Sequence, residues 1–561
     1  MAPLTTCWAG ERLFPSARRD SPVPGYPSYV GGHEIESNSY VYTVTTSSVL
    51  ADVFASLTLK RRLERGTADV REAADFVVGR CAMADDQVLD MAIAAAAAAA
   101  PQWAAVPLET RLRLGTGISQ RLRHHHAEFV DVLIAEGNPR RLAEWQVAGL
   151  LAMFSEETLG WCAAQMEQKI TYSQRRMLIR RVADGVVGVN PPQNAPASSA
   201  LFGITSLLAG NAVIVRAPRS APLGVMYALR EFVEPVLQEL GAPDGTLNVL
   251  CARPGPTITG WLGSPLVNDI FYIGGVERGL ALERDCIARG KKPILELAGN
   301  DCVLIWRDAD LDLATEALTE CFFGSGQLCM VPNQVLVHPA VADDLLERLC
   351  AAAGSIRPGV PEDPDVLLSP VLRSERFFNY VQDALSKGAT LVHGARRLET
   401  DGSVSDTGLF LEPTVLRIDG ISAAKGVDAV REETFFPLLP VIVADPAPDA
   451  DLLESLLDYV NDNPYGLRNS LWARDDVVIE RFLLRVSNAG LLKVNDSHIG
   501  FLPYLPTHGG TGRTGGAFGE ANYPMLRTTH LQGVSVAHNV RPSEAVFGSY
   551  AALVRSAEHP T

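Results

Sequence analysis

An apolar run breaks at Cys321-Phe322-Phe323-Gly324-Ser325-Gly326-Gln327-Leu328-Cys329, where two glycines flanking a serine come just before a cysteine. A thiol reacts as its thiolate, so it needs partial exposure and nearby dipoles or bases, and a Gly-Ser-Gly break can supply backbone N–H groups. Cys329 is therefore the candidate nucleophile, although from this fragment alone a buried apolar cysteine fits equally well. Upstream, Leu295-Glu296-Leu297-Ala298-Gly299-Asn300 sets a carboxylate at the end of an apolar run and ahead of a small-residue turn. Partial desolvation there would lift its pKa toward the range of a general base for water. A plain turn carboxylate explains the same residues. Two further pieces carry polar or acidic groups between prolines and aromatics: Pro192-Gln193-Asn194-Ala195-Pro196 and Glu432-Glu433-Thr434-Phe435-Phe436-Pro437.

The elements that must position these groups belong to a large soluble globular chain. Its 561 residues suggest roughly two to four domains. A hydrophobic content of 47%, with 20% charged residues, fits a packed enzyme rather than a disordered or fibrous protein. The net charge of −16 argues against nucleic acid or an anionic membrane as partner, and for a small molecule. Nine cysteines, odd in number, scattered and without CxxC spacing, signal neither a disulfide framework nor a zinc site and point to a reducing compartment. The N-terminus lacks a basic and then apolar leader, and no window approaches 18 uninterrupted apolar residues, so a cytoplasmic location is expected.

In chain order, residues 1–50 read as an N-terminal arm, rich in Pro, Gly and Ser to about residue 40, with a β-prone piece from Ser39 to Thr46. Residues 51–168 read as helical. His124, His125 and His126 lie consecutively there and point in different directions on a helix, so they carry no metal prediction. From Ile179 the pattern alternates: strands are expected at 184–190, 212–216, 245–250, 269–273 and 293–297, separated by helices, which is a doubly wound α/β unit with parallel strands. No GxGxxG fingerprint follows any of them. A second α/β section from 301 carries expected strands at 334–338, 438–443, 469–472 and 490–494. The run 533–537 is a lone terminal strand of the kind that usually pairs elsewhere, across a subunit boundary being one option.

Taken together the pieces resemble the aldehyde dehydrogenase superfamily over roughly residues 70–535. The resemblance rests on ELAGN at 296–300, DADLDLA at 308–314, FGSGQLC at 323–329, EETFFP at 432–437 and NDNPYGL at 461–467, five fragments in order. It implies an α/β fold with a Rossmann-like cofactor domain (51–168 and 184–300), a catalytic α/β domain (301–500) and a small β-bridging, oligomerisation element (169–183 and 530–545), giving a homodimer or homotetramer. It also implies oxidation of a small-molecule aldehyde to a carboxylic acid with NAD(P). Cys329 would form a thiohemiacetal and then a thioester, Glu296 would activate the hydrolytic water, and Asn194 would donate to the oxyanion together with the Cys329 N–H. The match sets Glu433 on the nicotinamide ribose, Phe435 beside the nicotinamide ring, and Gly274, Gly275 and Gly279 in the strand-to-helix turn near the pyrophosphate. It makes Asp308, Asp310 and Asp312 a helix cap and first turn, so no metal is expected.

Three departures from the family pattern carry information. Gly275 replaces the usual serine. Arg216 replaces the usual lysine, and Arg219 stands where NAD-preferring members have a glutamate. An arginine there offers a fork to a phosphate instead of repelling it, so NADP is expected to be accepted or preferred; an arginine pointing to solvent is the alternative. Phe436 replaces a glycine and would either crowd the nicotinamide pocket or reshape its loop. Residues Leu502 to Gly510 resemble the loop beside the substrate tunnel, and Phe154, Trp161, Phe323, Phe501 and Tyr504 are candidate tunnel walls or else core. Two rival functions remain at this point: a CoA-acylating aldehyde dehydrogenase, against which Glu296 argues, and a non-catalytic homologue acting as a binding or structural partner.

Overall fold

The computed structural model describes residues 17–18, 21–172, 175–502, 504–505, 507–519, 521 and 523–558. Two seven-stranded sheets organise the chain. The first comprises β1 (Ser28–Val30), β2 (His33–Ile35), β3 (Val186–Asn190), β4 (Ala212–Ala217), β5 (Leu247–Cys251), β6 (Asp269–Ile273) and β7 (Lys292–Glu296), in the spatial order β7-β6-β3-β4-β5-β1-β2. Strands β3 to β7 are parallel, and every residue of β3, β4, β5 and β6 is buried, which is why they read as unbroken apolar runs in the sequence. A separate apolar cluster fills each face of this sheet, one around Trp103, Phe129 and Phe232 and the other around Trp261, Ile270 and the alanine face of helix Asp86–Ala104.

The second sheet comprises β8 (Asp301–Ile305), β9 (Pro332–Val337), β10 (Thr390–His393), β11 (Thr414–Asp419), β12 (Leu438–Val443), β13 (Arg468–Trp472) and β14 (Leu491–Val494), ordered β10-β11-β12-β9-β8-β13-β14. All neighbours are parallel except β10, an antiparallel edge strand. The chain crosses from one sheet to the other in the four residues between β7 and β8. That turn is pinned by Leu297 N donating to Thr514 O (2.8 Å) and Thr514 Oγ1 donating to Ala298 O (2.8 Å).

A third sheet is a three-stranded ribbon of Glu167–Tyr172, Arg175–Ala183 and Thr529–Ala537, the last pairing antiparallel with the middle strand from Thr529 opposite Ala183 to Ala537 opposite Arg175. The terminal run thus pairs within its own chain. Beyond it, Pro542–Glu558 is a helix, so the end of the span expected as strand at 530–545 is helical.

Other departures from the sequence reading are local. Tyr40–Val44 forms a strand as expected, but its partner Val77–Ala82 lies inside the stretch read as wholly helical, and Gly25–Tyr26 completes this small sheet. The arm also supplies β1 and β2 to the edge of the first sheet, and just beyond the arm helix α1 (Val53–Glu64) is capped by Asp52, whose side chain accepts from Ala55 N. The histidine triplet sits at a break between two helices, Leu108–His124 and His126–Ala135, rather than within one. Among the described residues no single helix is long and apolar enough to cross a membrane.

Candidate functional site

The cysteine loop departs from helical geometry at Phe323, and Gly324 (φ 59°), Ser325 (φ 58°) and Gly326 (φ 70°) are all left-handed. A Cβ on Gly326 would fall 2.2 Å from Phe436 O, a backbone atom, so only glycine fits there. Ser325, buried and strained, is held by Oγ donating to Ser369 O (2.6 Å) while accepting from Ser369 N (3.0 Å). The loop therefore delivers Cys329, half-buried, to the floor of a cleft of about 1740 Å³ between the two sheets. Cys321 in the same stretch is fully buried in the second sheet's core.

Glu296 ends β7 and is fully buried. Its Oε1 accepts from Cys329 Sγ at 3.0 Å and its Oε2 accepts from Gly509 N at 3.3 Å. Burial, and next the Glu296 charge, push the Cys329 thiol well above its ordinary value; Arg468 pulls the other way. Arg468 is itself buried and donates Nη1 to His498 O and Nη2 to Thr507 O, both at 2.8 Å, so it fixes the loop that carries Gly509 to Glu296. Glu433 approaches from the other sheet: its Oε1 accepts from Gly299 N (3.1 Å), and burial raises its carboxyl well above the usual range. Gly299 is packed so tightly that a Cβ would lie 2.3 Å from Cys329 O.

Asn194 lies between β3 and the helix that starts at Pro196, and its Nδ2 donates to Gln327 O (2.9 Å), two residues from Cys329. An amide NH₂ has two donors, so one stays available to the cleft. Phe435 lines the cleft with a left-handed backbone (φ 60°). Phe436 lines it too, but its ring packs edge-on against Phe377 (5.8 Å) and Tyr380 (6.5 Å) of helix α3 (Glu375–Ser386), so the bulk that replaces glycine is absorbed by the second core.

β6 runs into helix α2 (Val276–Ile287) through Gly274 and Gly275, which line the cleft beside Glu296 because Ile273 is in register with Glu296. Gly275 is the N-cap, has open space around it and offers no side-chain cap, which leaves the helix N–H groups to a ligand. Gly279 does not face the cleft: a Cβ there would lie 2.1 Å from Leu297 Cδ2, so it is a packing glycine that seats α2 on the turn after β7. Arg278, in the first turn of α2, is exposed to the cleft and makes no ion pair or hydrogen bond through its side chain among the described residues. Tyr272 also lines it. Arg278 sits inside the strand-to-helix turn singled out from the sequence, where its charge is the signal that could have marked it, while Tyr272 belongs to the strand before that turn.

Arg216 is buried, and all three guanidinium nitrogens donate to protein oxygens: Nε to Asn190 Oδ1 (2.7 Å), Nη2 to Pro191 O (3.1 Å) and Nη1 to Ala252 O (3.4 Å). Burial brings its pKa down to about 10. It serves first as a wall, with two N–H groups left over. Arg219 is not in the cleft but in an adjoining pocket, where its Nη2 meets Glu64 Oε2 at 3.3 Å. It is therefore not simply pointing to solvent.

Of the five candidate tunnel residues, Phe501 alone lines the cleft. Phe154 is 1% exposed and belongs to the first core. Trp161 lies away from it with its ring tilted against those of Tyr504 and Tyr523, and Phe323 packs with Trp145 and Leu328. The walls near Cys329 are instead Trp145, Gly149, Met153, Phe202 and His508, with the His508 ring 4.5 Å from that of Phe202. Within the loop 502–510, Pro503 and Pro506 lie outside the described residues. Asp310 caps helix Leu311–Thr319 by accepting from Leu313 N (3.3 Å), and Asp308 accepts from Arg474 N. Among the described residues no group of three or more His, Cys, Asp or Glu could hold a metal ion.

The sequence pattern of the aldehyde dehydrogenase family matches residues 61–532. The chain is 30% identical over 477 residues to vanillin dehydrogenase of Pseudomonas fluorescens, covering 81% of this chain and 92% of that one. It is 28% identical over 480 residues to benzaldehyde dehydrogenase YfmT of Bacillus subtilis, covering 83% and 92%. Among solved structures it resembles the glyceraldehyde-3-phosphate dehydrogenase GapN of Methanocaldococcus jannaschii complexed with NADP, with a TM-score of 0.72 and 22% identity over 82% of this chain and 97% of that one. The chain belongs to the aldehyde dehydrogenase family, an oxidoreductase family acting on aldehydes.

Proposed function

We propose that this enzyme oxidises an aldehyde to the carboxylic acid with NAD(P)+, through a thiohemiacetal and then a thioester on Cys329. The observation that carries the reading is the 3.0 Å contact between Cys329 Sγ and Glu296 Oε1 at the floor of one cleft. In this reading Glu296 takes the thiol proton as Sγ attacks the carbonyl carbon. Charge then builds on the carbonyl oxygen, where the spare Asn194 Nδ2 proton and the Cys329 backbone N–H are the donors. After oxidation the same carboxylate is the base for the water that cleaves the thioester, which favours hydrolysis over transfer to CoA. The residues present fit a dinucleotide: the uncapped α2 N-terminus with the unpaired Arg278, and Glu433 and Phe435 beside the cysteine loop. When bound, that cofactor accepts the hydride leaving the thiohemiacetal carbon.

The substrate end supports an apolar, aromatic aldehyde, because Trp145, Met153, Phe202 and Phe501 offer ring and thioether faces around Cys329. The names of two relatives, which act on vanillin and benzaldehyde, point the same way. Arg219 supports use of NADP, since it sets a cation where a carboxylate would repel a 2′-phosphate. The exposed Ile170, Ile179 and Leu531 on the three-stranded ribbon support a homo-oligomer joined there. The test is an aldehyde panel followed by NAD(P)H absorbance with and without CoA, with Cys329→Ala as blank. Benzaldehyde-type substrates oxidised without CoA and not by the blank are expected. Turnover that survives in the blank would sink the mechanism.

A further inference from the structure

A pocket of about 450 Å³ opens beside the main cleft and shares Gln193, Arg216, Ser220 and Pro254 with it. Its other walls are Leu57, Lys60, Arg61 and Glu64 of α1, with Pro218, Arg219 and Arg253. Five cations thus face one carboxylate. Lys60 is the last residue ahead of the stretch shared with the family, which begins at residue 61 and takes in the rest of the helix, Arg61 to Glu64.

The charges are poorly compensated from within. Lys60, Arg61 and Arg253 make no side-chain hydrogen bond or ion pair among the described residues. The one ion pair, Arg219 with Glu64, is incomplete: Arg219 Nε and Glu64 Oε1 are buried and have no hydrogen-bond partner. Burial lowers the Lys60 ammonium below its ordinary value, with Glu64 opposing and Arg219 adding to the effect. Arg61 and Arg253 are exposed, but Lys60 is half-buried and has no partner among the described residues, so a compact anion entering the pocket would offset the cost of its burial. Because the pocket opens into the cleft at Arg216 and Ser220, the anion that suits it is one carried by whatever occupies the cleft.

We propose that Lys60, together with Arg219 and Arg253, binds the 2′-phosphate of NADP(H), so that a residue just ahead of the shared family region sets cofactor selectivity. This rests on the reading of Arg219 as accepting NADP. The two are separated by measuring Kd for NADP and NAD, by quenching of intrinsic fluorescence, on the full-length protein and on Lys60→Met, Lys60→Arg and Arg219→Ala, with 2′-AMP and inorganic phosphate as competing probes. Lys60→Met is expected to raise the Kd(NADP)/Kd(NAD) ratio about tenfold, in line with loss of one charge-assisted contact to phosphate, and Lys60→Arg to restore it. Competition by 2′-AMP should weaken in parallel. If Arg219→Ala raises the ratio and Lys60→Met does not, the role of α1 is overturned while NADP acceptance stands. If neither variant moves the ratio, both fall. Inorganic phosphate binding that depends on Lys60, with NADP indifferent to it, would also overturn the proposal.

Discussion

Cys329 Sγ and Glu296 Oε1 are 3.0 Å apart, a nucleophile and a carboxylate in direct hydrogen bond inside a buried floor. The pair determines when the thiol reacts. In the folded protein burial and the Glu296 charge disfavour the thiolate, so its population grows only as pH rises toward the elevated pKa.

The rate of Cys329 alkylation by iodoacetamide should therefore still be climbing at pH 9, without a plateau in the neutral range. Glu296→Gln removes the negative neighbour and should move the alkylation profile to lower pH. The same change should slow steady-state aldehyde oxidation by about 10²–10⁴-fold, the usual worth of a general base, and leave a burst of one equivalent of NAD(P)H. A Glu296→Gln enzyme with the wild-type pH profile and turnover would contradict the pairing.

Gly299 links the Glu433 carboxylate to the cysteine, because its N–H donates to Glu433 and its Cα sits against Cys329 O. In Gly299→Ala the new methyl would meet that carbonyl at 2.3 Å, and a backbone atom cannot yield cheaply. The expected cost is about 1–3 kcal/mol of stability, read as a Tm lowered by a few degrees. The displaced nucleophile should cost about 10²-fold in kcat. A variant with lower Tm but unchanged kcat would show that the Cys329 position tolerates movement.

How much of this was legible in the sequence follows from what kind of contact each feature makes. Strands β3, β4, β5 and β6 are buried on both faces, so they appear as apolar runs whatever their neighbours. Strand β10 is an edge strand with three of four residues exposed, and β8 starts immediately after the turn at 297–300 with Asp and Cys, so neither carries that signal. In the site, Cys329, Glu296, Asn194 and Glu433 were legible as motif residues and do converge on one cleft. The walls were not. Trp145, Gly149 and Met153 lie four residues apart on one stripe of helix Arg140–Met153 and face the cleft, while Phe154, one residue further, turns into the core. Nothing local distinguishes those phases. Lys60 and Glu64 reach the pocket across more than 150 residues of sequence from Arg219, a contact made by tertiary packing alone.

Glu64 is the single carboxylate among the cations of the smaller pocket, and it occupies Arg219 Nη2. Glu64→Gln should release that guanidinium and raise the local potential, shifting the ratio of kcat/KM for NADP over NAD upward by about fivefold, the equivalent of roughly 1 kcal/mol from one partly solvated charge. Steady-state kinetics with both cofactors at fixed aldehyde measures it. An unchanged ratio would mean that the phosphate does not approach Glu64.

Asn194 has two possible duties, and its geometry lets them be told apart. One Nδ2 proton is already committed to Gln327 O at 2.9 Å, which steadies the cysteine loop; the other can reach an oxyanion only once Sγ has added to the carbonyl. Asn194→Ala should lower kcat/KM for aldehyde by about 10²–10³-fold, the usual cost of one oxyanion donor. Alkylation of Cys329 by iodoacetamide generates no oxyanion, so its rate should stay within a few-fold of wild type if charge stabilisation is the main duty. A parallel fall in both rates would assign Asn194 to holding the loop, and would leave the Cys329 backbone N–H as the principal donor.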